Sequence, residues 1–339
     1  MLDSPFIAVM ASLLIVTNTE RFPKQWRATT GEQGTGVYAR SAAEFIGYIQ
    51  RPDTILIVNC DPVLAFQIAA RTVFRSRTAD LLSVDLVLRK PIDLKNRLLL
   101  PVKRRLLDRF DHHIHYFRDF RGLQRVFAMD PRKCSFVPFK PNLRYRFQLD
   151  TGLPGEYVLC FGRSMRDYDT FFDAMEQLPY PGAIPAPNYH ELAVNGARFT
   201  RSLSALPKNV RLLEDDGSDE ALIRIIQGAR LFVVPVLKAS FVASGISTSL
   251  DAMLMGKCVI GSDGPGMTDV FSEEILSFEP ENPAALAAVI RRAWEDEALR
   301  RKTAEAGLRY ALSLGGEPDL YQRILDEAVR VHTALSSQR

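Results

Sequence analysis

The sequence of 339 residues lacks any uncharged apolar run of 18 residues, so no segment of it fits the pattern of a membrane-spanning helix. It also lacks a basic segment before its apolar start, and residues 7–18 therefore favour a first buried strand over a signal peptide. Its four cysteines form neither a metal knuckle nor a redox pair. Cys60, Cys160 and Cys258 adjoin apolar runs, so we expect them to be buried free thiols. Free thiols fit a reducing, cytoplasmic setting.

A second absence concerns cofactors. The sequence contains no G-x-G-x-x-G stretch, which argues against a dinucleotide-dependent dehydrogenase. His112, His113 and His115 are close together, but no nearby Cys or Glu joins them, and in a strand His112 would face away from the other two. We therefore predict no metal site.

The net charge of +3 hides an uneven distribution. Residues 71–146 contain 19 Lys and Arg against 7 Asp and no Glu, so that segment carries +12. A segment this basic indicates an anionic partner for the first half of the chain.

Short apolar runs alternate with helical patterns, which indicates an α/β protein with parallel sheets. In the first half we expect a strand at 8–17, helices over 38–50 and 94–110, and a strand at 113–117. Pro101 predicts that the helix over 94–110 is kinked or divided in two.

The domain organisation follows from a Pro- and Gly-containing stretch at about 140–155, which is typical of a linker. We predict a first Rossmann-like domain over 1–148, a second over 149–316, and a terminal helix over 317–339 that packs back on the first domain.

The most informative stretch is 231–271, LFVVPVLKASFVASGISTSLDAMLMGKCVIGSDGPGMTDVF. A buried strand leads through small residues to Gly245 and then to a helix that begins with Ser247, Thr248 and Ser249. Backbone N–H groups and the dipole at such a helix start bind phosphate. Asp251 lies in the first turns, where its carboxylate can reach a ribose. On spacing alone, an ordinary strand–loop–helix unit with a Ser/Thr cap explains the stretch equally well.

This stretch resembles the signature of the family-four retaining glycosyltransferases, Glu-x7-Glu followed by Ala-Met-x-x-Gly-(Lys/Thr)-Pro-Val-Ile. Asp251 stands where the second Glu, which binds the donor ribose in that family, belongs. Ala243 stands in place of the first Glu, and Cys258 in place of the Pro. A second match, 158–175 (VLCFGRSMRDYDTFFDAM), resembles the start of the family's C-terminal domain.

The resemblance implies a GT-B fold, with two doubly wound Rossmann-like domains facing a cleft. It implies transfer of a sugar, with retention, from a nucleoside-diphosphate sugar to a glycan or a polyprenyl-linked acceptor. We expect catalysis without a metal cofactor, because positive charge from Arg side chains and the helix dipole would stabilise the leaving diphosphate. Arg163 and Arg166 would neutralise the diphosphate as catalytic residues. The donor-binding residues would be Gly162, Gly245, Ser247, Thr248, Ser249 and Asp251, with Leu213 and Glu214 beside the base.

For the acceptor, the candidates are Asp61 at the end of an apolar strand and Gly34 and Gly36 in an expected glycine-rich loop. Asp61 is equally suited to cap the helix that starts at Pro62, which is the simpler interpretation. The basic helix over 94–110 could rest on an anionic membrane surface, or be an amphipathic domain helix with a solvated basic face.

Three alternatives stay open. Ala243 suggests a degenerate glycosyltransferase that acts as a regulatory or binding subunit. A sugar-nucleotide epimerase of the same fold would need no acceptor. A polyanion-binding protein would use the basic segment and leave the C-terminal motifs unexplained, so we expect no nucleic-acid partner.

Overall fold

The computed structural model describes residues 12–91, 93–144 and 155–339, and the contacts among them divide the chain into two compact units. The first unit contains residues 12–115, 123–137 and 321–339 of the described chain, and the second contains 116–122 and 138–320. The predicted boundary at 148/149 and most of the predicted linker lie outside the described residues.

The first unit is built on a mostly parallel sheet. Its strands are β1 (Leu13–Thr17), β2 (Gln25–Arg27), β3 (Gln33–Tyr38), β4 (Thr54–Asn59), β5 (Asp80–Val84), β6 (His112–His115) and β7 (Cys134–Phe136). Their order is β2-β3-β1-β4-β5-β6-β7, with only the β2–β3 pair antiparallel. The central strands β1, β4 and β5 are almost fully buried, as expected for a parallel sheet covered on both faces, and β5 includes the buried polar residues Asp80 and Ser83.

The helices along the first part of the chain are α1 (Ala42–Ile46), α2 (Pro62–Thr72), α3 (Leu94–Leu98), α4 (Leu100–Leu107) and α5 (Arg121–Phe127). Pro101 lies at the start of α4, so the predicted division of the 94–110 helix is confirmed. The predicted helix over 38–50 is wrong in its bounds: Tyr38 ends β3, and Ser41 caps the much shorter α1.

The second unit has an entirely parallel sheet. Its strands are β8 (Tyr157–Cys160), β9 (Gly182–Pro185), β10 (Val210–Leu213), β11 (Ala229–Val234), β12 (Cys258–Ser262) and β13 (Ile275–Phe278), in the order β10-β9-β8-β11-β12-β13. The helices that follow these strands are α6 (Tyr168–Met175), α7 (Tyr189–Val194), α8 (Asp219–Gln227), α9 (Ile246–Leu254), α10 (Pro283–Glu295) and α11 (Glu297–Ser313). Two Rossmann-like parallel-sheet units confirm the predicted α/β class.

The last helix, α12 (Glu317–Ser336), contributes most of its length to the first unit. There, His332 Nδ1 lies 2.6 Å from a carboxylate oxygen of the buried Asp80, and the ring of Tyr321 packs against Phe22. In the described part of the chain, no helix is long and apolar enough to cross a membrane.

One expectation about the cysteines is wrong. Cys160 and Cys258 are buried, but Cys60 is exposed. Cys60 follows β4 in a left-handed conformation (φ 53°), which turns the chain out of the apolar strand.

Candidate functional site

The order in which strands are added to the sheet of the second unit reverses at β8. From β8 the chain first adds β9 and β10 on one side, and then β11, β12 and β13 on the other. In open α/β sheets, ligands bind outside the carboxyl ends of the two strands that flank such a switch point. Here those strands are β8 and β11, and the loops that follow them carry both sequence motifs.

The loop after β8 is held in a specific conformation. Gly162 has φ 116° and Met165 has φ 51°, so the chain coils tightly before α6 begins. Backbone hydrogen bonds join this loop to the segment after β11, from Asp167 N to Pro235 O (2.8 Å) and from Leu237 N to Met165 O (2.9 Å). The two loops therefore form one backbone assembly at the switch point.

Arg166 projects into this assembly and is only 1% exposed. Its Nε and Nη1 atoms have no hydrogen-bond partner among the residues that the structure describes. Burial lowers the pKa of Arg166, yet a guanidinium stays protonated in proteins. Arg166 is thus a buried cation without a matching anion, an arrangement that is strongly unfavourable unless a ligand supplies the charge.

Two glycines make room for this guanidinium. A Cβ atom on Gly162 would lie 2.3 Å from Arg166 Nη2, and one on Gly245 would lie 3.2 Å from Arg166 Nη1. Gly245 also has φ 97°, a conformation that side chains disfavour. A side chain at position 162 would therefore displace the Arg166 guanidinium, and one at position 245 would crowd it and clash with Val234 Cγ1 at 2.5 Å.

Gly245 is also the N-cap of α9, and no side chain caps this helix. The first backbone N–H groups of a helix have no partner within the helix, and its dipole places partial positive charge there. The uncapped N-terminus of α9 and the unpartnered guanidinium of Arg166 therefore lie together. Both are suited to an anion such as a diphosphate.

The hydroxyl residues predicted beside this helix start differ in their surroundings. Ser247 and Thr248 are partly exposed in the first turn of α9. Ser249 is fully buried, and its Oγ lies 3.8 Å from Met267 Sδ. Ser247 and Thr248 are thus placed to donate to a ligand, whereas Ser249 faces the core.

Arg163, predicted to act with Arg166, lies in different surroundings. Its side chain is 60% exposed and forms an ion pair with Glu191 on α7. An exposed pair of this kind is weak and easily exchanged for another partner. The prediction that Arg163 contacts the diphosphate stays a prediction.

The Asp251 carboxylate has partners that the sequence did not reveal. Its Oδ1 atom accepts hydrogen bonds from the backbone N–H groups of Asn142 (2.7 Å) and Leu143 (3.0 Å). Burial raises the pKa of Asp251 to about 6, and these two hydrogen bonds act in the opposite direction. Oδ2 makes no hydrogen bond among the described residues. Asp251 therefore anchors the segment that leads into the second unit, and the predicted ribose contact is left to Oδ2.

Ala243 precedes α9 and supplies no carboxylate. A Cβ atom on Gly266 would lie 2.8 Å from Ala243 Cα, so the small-residue turn after β12 packs directly on this backbone. Beside it, a small pocket at the carboxyl ends of β11 and β12 is lined by Lys238, Ser240 and Asp263, among others. Ala243 itself does not line this pocket.

Asp167 and Asp169 form an Asp-x-Asp triplet, a pattern that binds metal diphosphates in the other main glycosyltransferase fold. Here both carboxylates are engaged in the fold. Asp167 is 1% exposed and accepts from Arg198 Nε at 2.9 Å, and Asp169 accepts from the Thr200 backbone N–H at 2.9 Å. The two carboxylates therefore stabilise the start of α6, and their hydrogen bonds leave them engaged within the protein.

Leu213 and Glu214 occupy the carboxyl end of the edge strand β10. Leu213 O accepts from Ala186 N at 3.0 Å, and Glu214 is exposed in the following loop. Their predicted contact with the base stays a prediction.

In the first unit, the switch point falls between β1 and β4. Asn18 and Asn59 are joined there by two hydrogen bonds, from Asn18 Nδ2 to Asn59 O (2.9 Å) and from Asn59 N to Asn18 Oδ1 (2.7 Å). Asp61 Oδ1 accepts from Leu64 N at 2.9 Å and thus caps α2. Sequence reasoning missed the two asparagines, although Asn18 directly follows the apolar strand β1 and Asn59 ends the apolar strand β4.

The expected glycine-rich loop is wrong, because Gly34 and Gly36 lie within β3. A Cβ atom on Gly34 would lie 2.0 Å from Leu13 O, and one on Gly36 would lie 2.2 Å from Pro23 O. These glycines therefore permit close backbone approach. Their predicted contact with an acceptor is untested.

The histidines of β6 are all buried in the first unit. His113 Nδ1 lies 2.6 Å from Ser83 Oγ, and His112 Nε2 lies 2.9 Å from Ser135 Oγ. Burial lowers the pKa of His115 to about 3, which keeps its ring neutral. Within the described residues, no group of three potential metal ligands comes together.

Comparison with known proteins places part of the second unit in a sequence family. Residues 201–309 match the family model "Glycosyl transferases group 1". That segment includes Gly245, Ser247, Thr248 and Asp251, and begins after Arg166. A comparison with curated proteins finds no match.

Solved structures share the fold at low sequence identity. A glycosyltransferase from Rickettsia africae is 13% identical, with a TM-score of 0.59 over 88% of this chain and 85% of its own. A sucrose-phosphate synthase from Thermosynechococcus elongatus is 16% identical, with a TM-score of 0.61 over 95% and 89%. HepE from Anabaena, in complex with UDP, is 15% identical, with a TM-score of 0.59 over 81% and 78%. The resemblance expected from the sequence and the GT-B fold class are both confirmed.

Proposed function

We propose that this protein, which has a GT-B fold, belongs to the glycosyl transferases group 1 and transfers a sugar from a nucleoside-diphosphate sugar to a glycan or lipid-linked acceptor, with retention of anomeric configuration. The observation that carries the proposal is the unpartnered, buried guanidinium of Arg166 beside the uncapped start of α9. The UDP complex of HepE shows a nucleoside diphosphate bound by a protein of the same fold, which supports this class of donor.

In this proposal the diphosphate lies between Arg166 and the first turn of α9. Arg166 donates from Nε and Nη1, the backbone N–H groups of α9 donate alongside, and Ser247 and Thr248 add hydroxyl donors. Negative charge that develops on the leaving diphosphate as the sugar–phosphate bond breaks is stabilised by these fixed donors. The reaction then needs no metal ion, because positive charge is already in place.

The remaining donor contacts are assigned to residues around the same switch point. Asp251 Oδ2 accepts from a ribose hydroxyl while Oδ1 holds Asn142 and Leu143 in position. The pocket that contains Lys238 and Asp263 receives the sugar. The acceptor is bound by the first unit, where Asn18 and Asn59 lie at the corresponding switch point.

Turnover tests this function. Purified protein is given UDP-, GDP- and ADP-sugars with a mixture of oligosaccharide and polyprenyl-phosphate acceptors, with and without EDTA. We expect nucleoside diphosphate to be released only with an acceptor, at a rate that EDTA does not change. NMR of the product should show the donor's anomeric configuration. An inverted product, or loss of turnover in EDTA, would contradict the proposed mechanism.

One observation favours a second candidate. Ala243 leaves the family's first acidic position without a carboxylate, which suits a binding or regulatory protein that retains the donor site. Tight donor binding with no turnover on any acceptor would support that candidate. Release of a sugar nucleotide with an altered sugar, without an acceptor, would indicate an epimerase instead.

A further inference from the structure

Several apolar side chains of the segment that forms α3 and α4 are exposed to solvent. Leu94 is 73% exposed, Leu98 70%, Val102 54% and Leu99 41%. No residue of α3 is buried, and α4 buries only Leu107. The simpler interpretation of this segment, an amphipathic helix whose apolar face packs on the domain, therefore fails for residues 94–102.

The same segment is strongly basic. Residues 94–107 contain five Lys and Arg and no acidic residue. Lys95, Arg97 and Arg105 are exposed, and none of them forms a hydrogen bond or ion pair with the described residues. By contrast, Arg104 donates to Val126 O (2.9 Å) and Lys103 to Asn96 Oδ1 (2.7 Å), so those two cations are held by the fold.

The apolar and basic side chains occupy one short stretch of surface. Leu94 and Leu98 are four residues apart and so share a face of α3. Lys95, Arg97 and Arg105 alternate with the exposed leucines and valine along the chain. We call this set, namely Leu94, Lys95, Arg97, Leu98, Leu99, Val102 and Arg105, the α3–α4 face.

We propose that the α3–α4 face docks the protein on an anionic lipid bilayer. Leu94, Leu98 and Val102 enter the boundary between headgroups and acyl chains, while Lys95, Arg97 and Arg105 extend their charged ends to lipid phosphates. Both components are needed, because a single apolar or electrostatic contribution gives only marginal membrane binding. Docking does not depend on sugar transfer, since it requires neither donor nor acceptor.

The apolar side chains distinguish a bilayer from other anionic partners. Nucleic acid would use the cations alone and would leave the exposed leucines in water. An acidic protein would need a preformed apolar groove bordered by carboxylates to receive the same side chains. Any anionic bilayer provides phosphate charge immediately above hydrocarbon.

Co-sedimentation with lipid vesicles tests the proposal. The full chain is mixed with phosphatidylcholine vesicles that contain either no anionic lipid or about 30% phosphatidylglycerol. We expect strong binding only to the anionic vesicles, and weaker binding as salt is raised to about 0.5 M. Neutralising Lys95, Arg97 and Arg105 to Gln should lower the partition coefficient by roughly fivefold per cation.

The decisive variant removes the apolar contribution and leaves every cation in place. Leu94→Gln with Leu98→Gln should lower binding to anionic vesicles by roughly tenfold per leucine. Val194→Gln, at a valine that is 50% exposed on α7 in the second unit, is the matched control and should bind as wild type. Because all three side chains are exposed, thermal unfolding should be unchanged in each variant.

Several outcomes would overturn the proposal. Binding that depends on the cations but not on Leu94 and Leu98 would indicate polyanion adhesion, which competition by double-stranded DNA would reveal. Equal binding to neutral vesicles, or none to either kind, would exclude an anionic bilayer. A wild-type dimer that Leu98→Gln dissociates, seen by sedimentation velocity, would assign the face to a second copy of the chain.

Discussion

Replacing Arg166 with Met should stabilise the free protein while removing its ability to bind a diphosphate. Arg166 is a fully buried cation whose Nε and Nη1 atoms have no partner, and its immediate neighbours are the backbones of Gly162 and Gly245. Met has a similar length and carries no charge. Replacement of a buried ion pair by apolar residues of similar volume stabilises proteins by about 1–4 kcal/mol. Arg166 lacks even the attraction of a paired anion, so we expect a gain in that range.

The ligand should stabilise wild type selectively and offset most or all of the advantage of the variant. A ligand that is present at about 100 times its dissociation constant stabilises a protein by about 2.7 kcal/mol. Wild type should gain that amount from the preferred nucleoside diphosphate, and Arg166→Met should gain almost nothing.

Thermal unfolding of both proteins with and without UDP, GDP and ADP measures all four states. Arg211→Gln is the matched control, because Arg211 is an arginine of the same unit that is 56% exposed on the edge strand β10 and is not a predicted diphosphate contact. A variant that unfolds at a clearly lower temperature than wild type without ligand would refute the reasoning, since Arg166 would then hold the fold together.

Two further predictions concern the same unit. Asp251→Asn keeps an oxygen for the N–H groups of Asn142 and Leu143 but carries no charge. Because the folded-state pKa of about 6 exceeds the ordinary 3.8, the folded protein binds this proton more tightly, and wild-type stability falls as pH rises from about 4 through 6. Urea unfolding should therefore show the variant equal to wild type near pH 4 and more stable by about 3 kcal/mol at pH 8; the same difference at both pH values would contradict this. Gly245→Ala forces a side chain into φ 97° and places its Cβ 2.5 Å from Val234 Cγ1, so it should destabilise the protein by about 2 kcal/mol and weaken diphosphate binding. Gly217→Ala (φ 78°, no atom within 4 Å of the added Cβ) should cost about 1 kcal/mol and leave binding intact, and equal effects of the two substitutions on binding would argue against the role of Gly245.

The sequence predicted the architecture well where strands are buried on both faces. Continuous apolar runs at 55–58 and 231–234, each followed by a helical pattern, leave little choice but a parallel α/β sheet. Sequence reasoning failed at β3, because Gly34 and Gly36 are typical of loops and only the packing of β1 and Trp26 against them makes a strand. A propensity rule cannot anticipate a contact of that kind.

The sequence predicted only the part of the candidate site that depends on local pattern. Small residues before a helix indicated an anion site at Gly245 from local pattern alone. The burial of Arg166 depends on two glycines that are far apart in sequence and meet only in the folded sheet. The hydrogen bonds of Asp251 likewise join residues that are far apart in sequence, since Asn142 lies 109 positions before Asp251. Such contacts follow from topology and could not be derived from spacing.

The most direct test of the central claim is calorimetric titration of UDP, GDP, ADP and CMP, each beside its free nucleoside, into wild type, Arg166→Met and Arg211→Gln. If Arg166 and the start of α9 bind a diphosphate, one nucleoside diphosphate should bind wild type and Arg211→Gln at least about a hundredfold more tightly than its nucleoside. That preference should disappear in Arg166→Met. Failure of all four nucleotides to bind wild type, or an unchanged preference in Arg166→Met, would contradict the account.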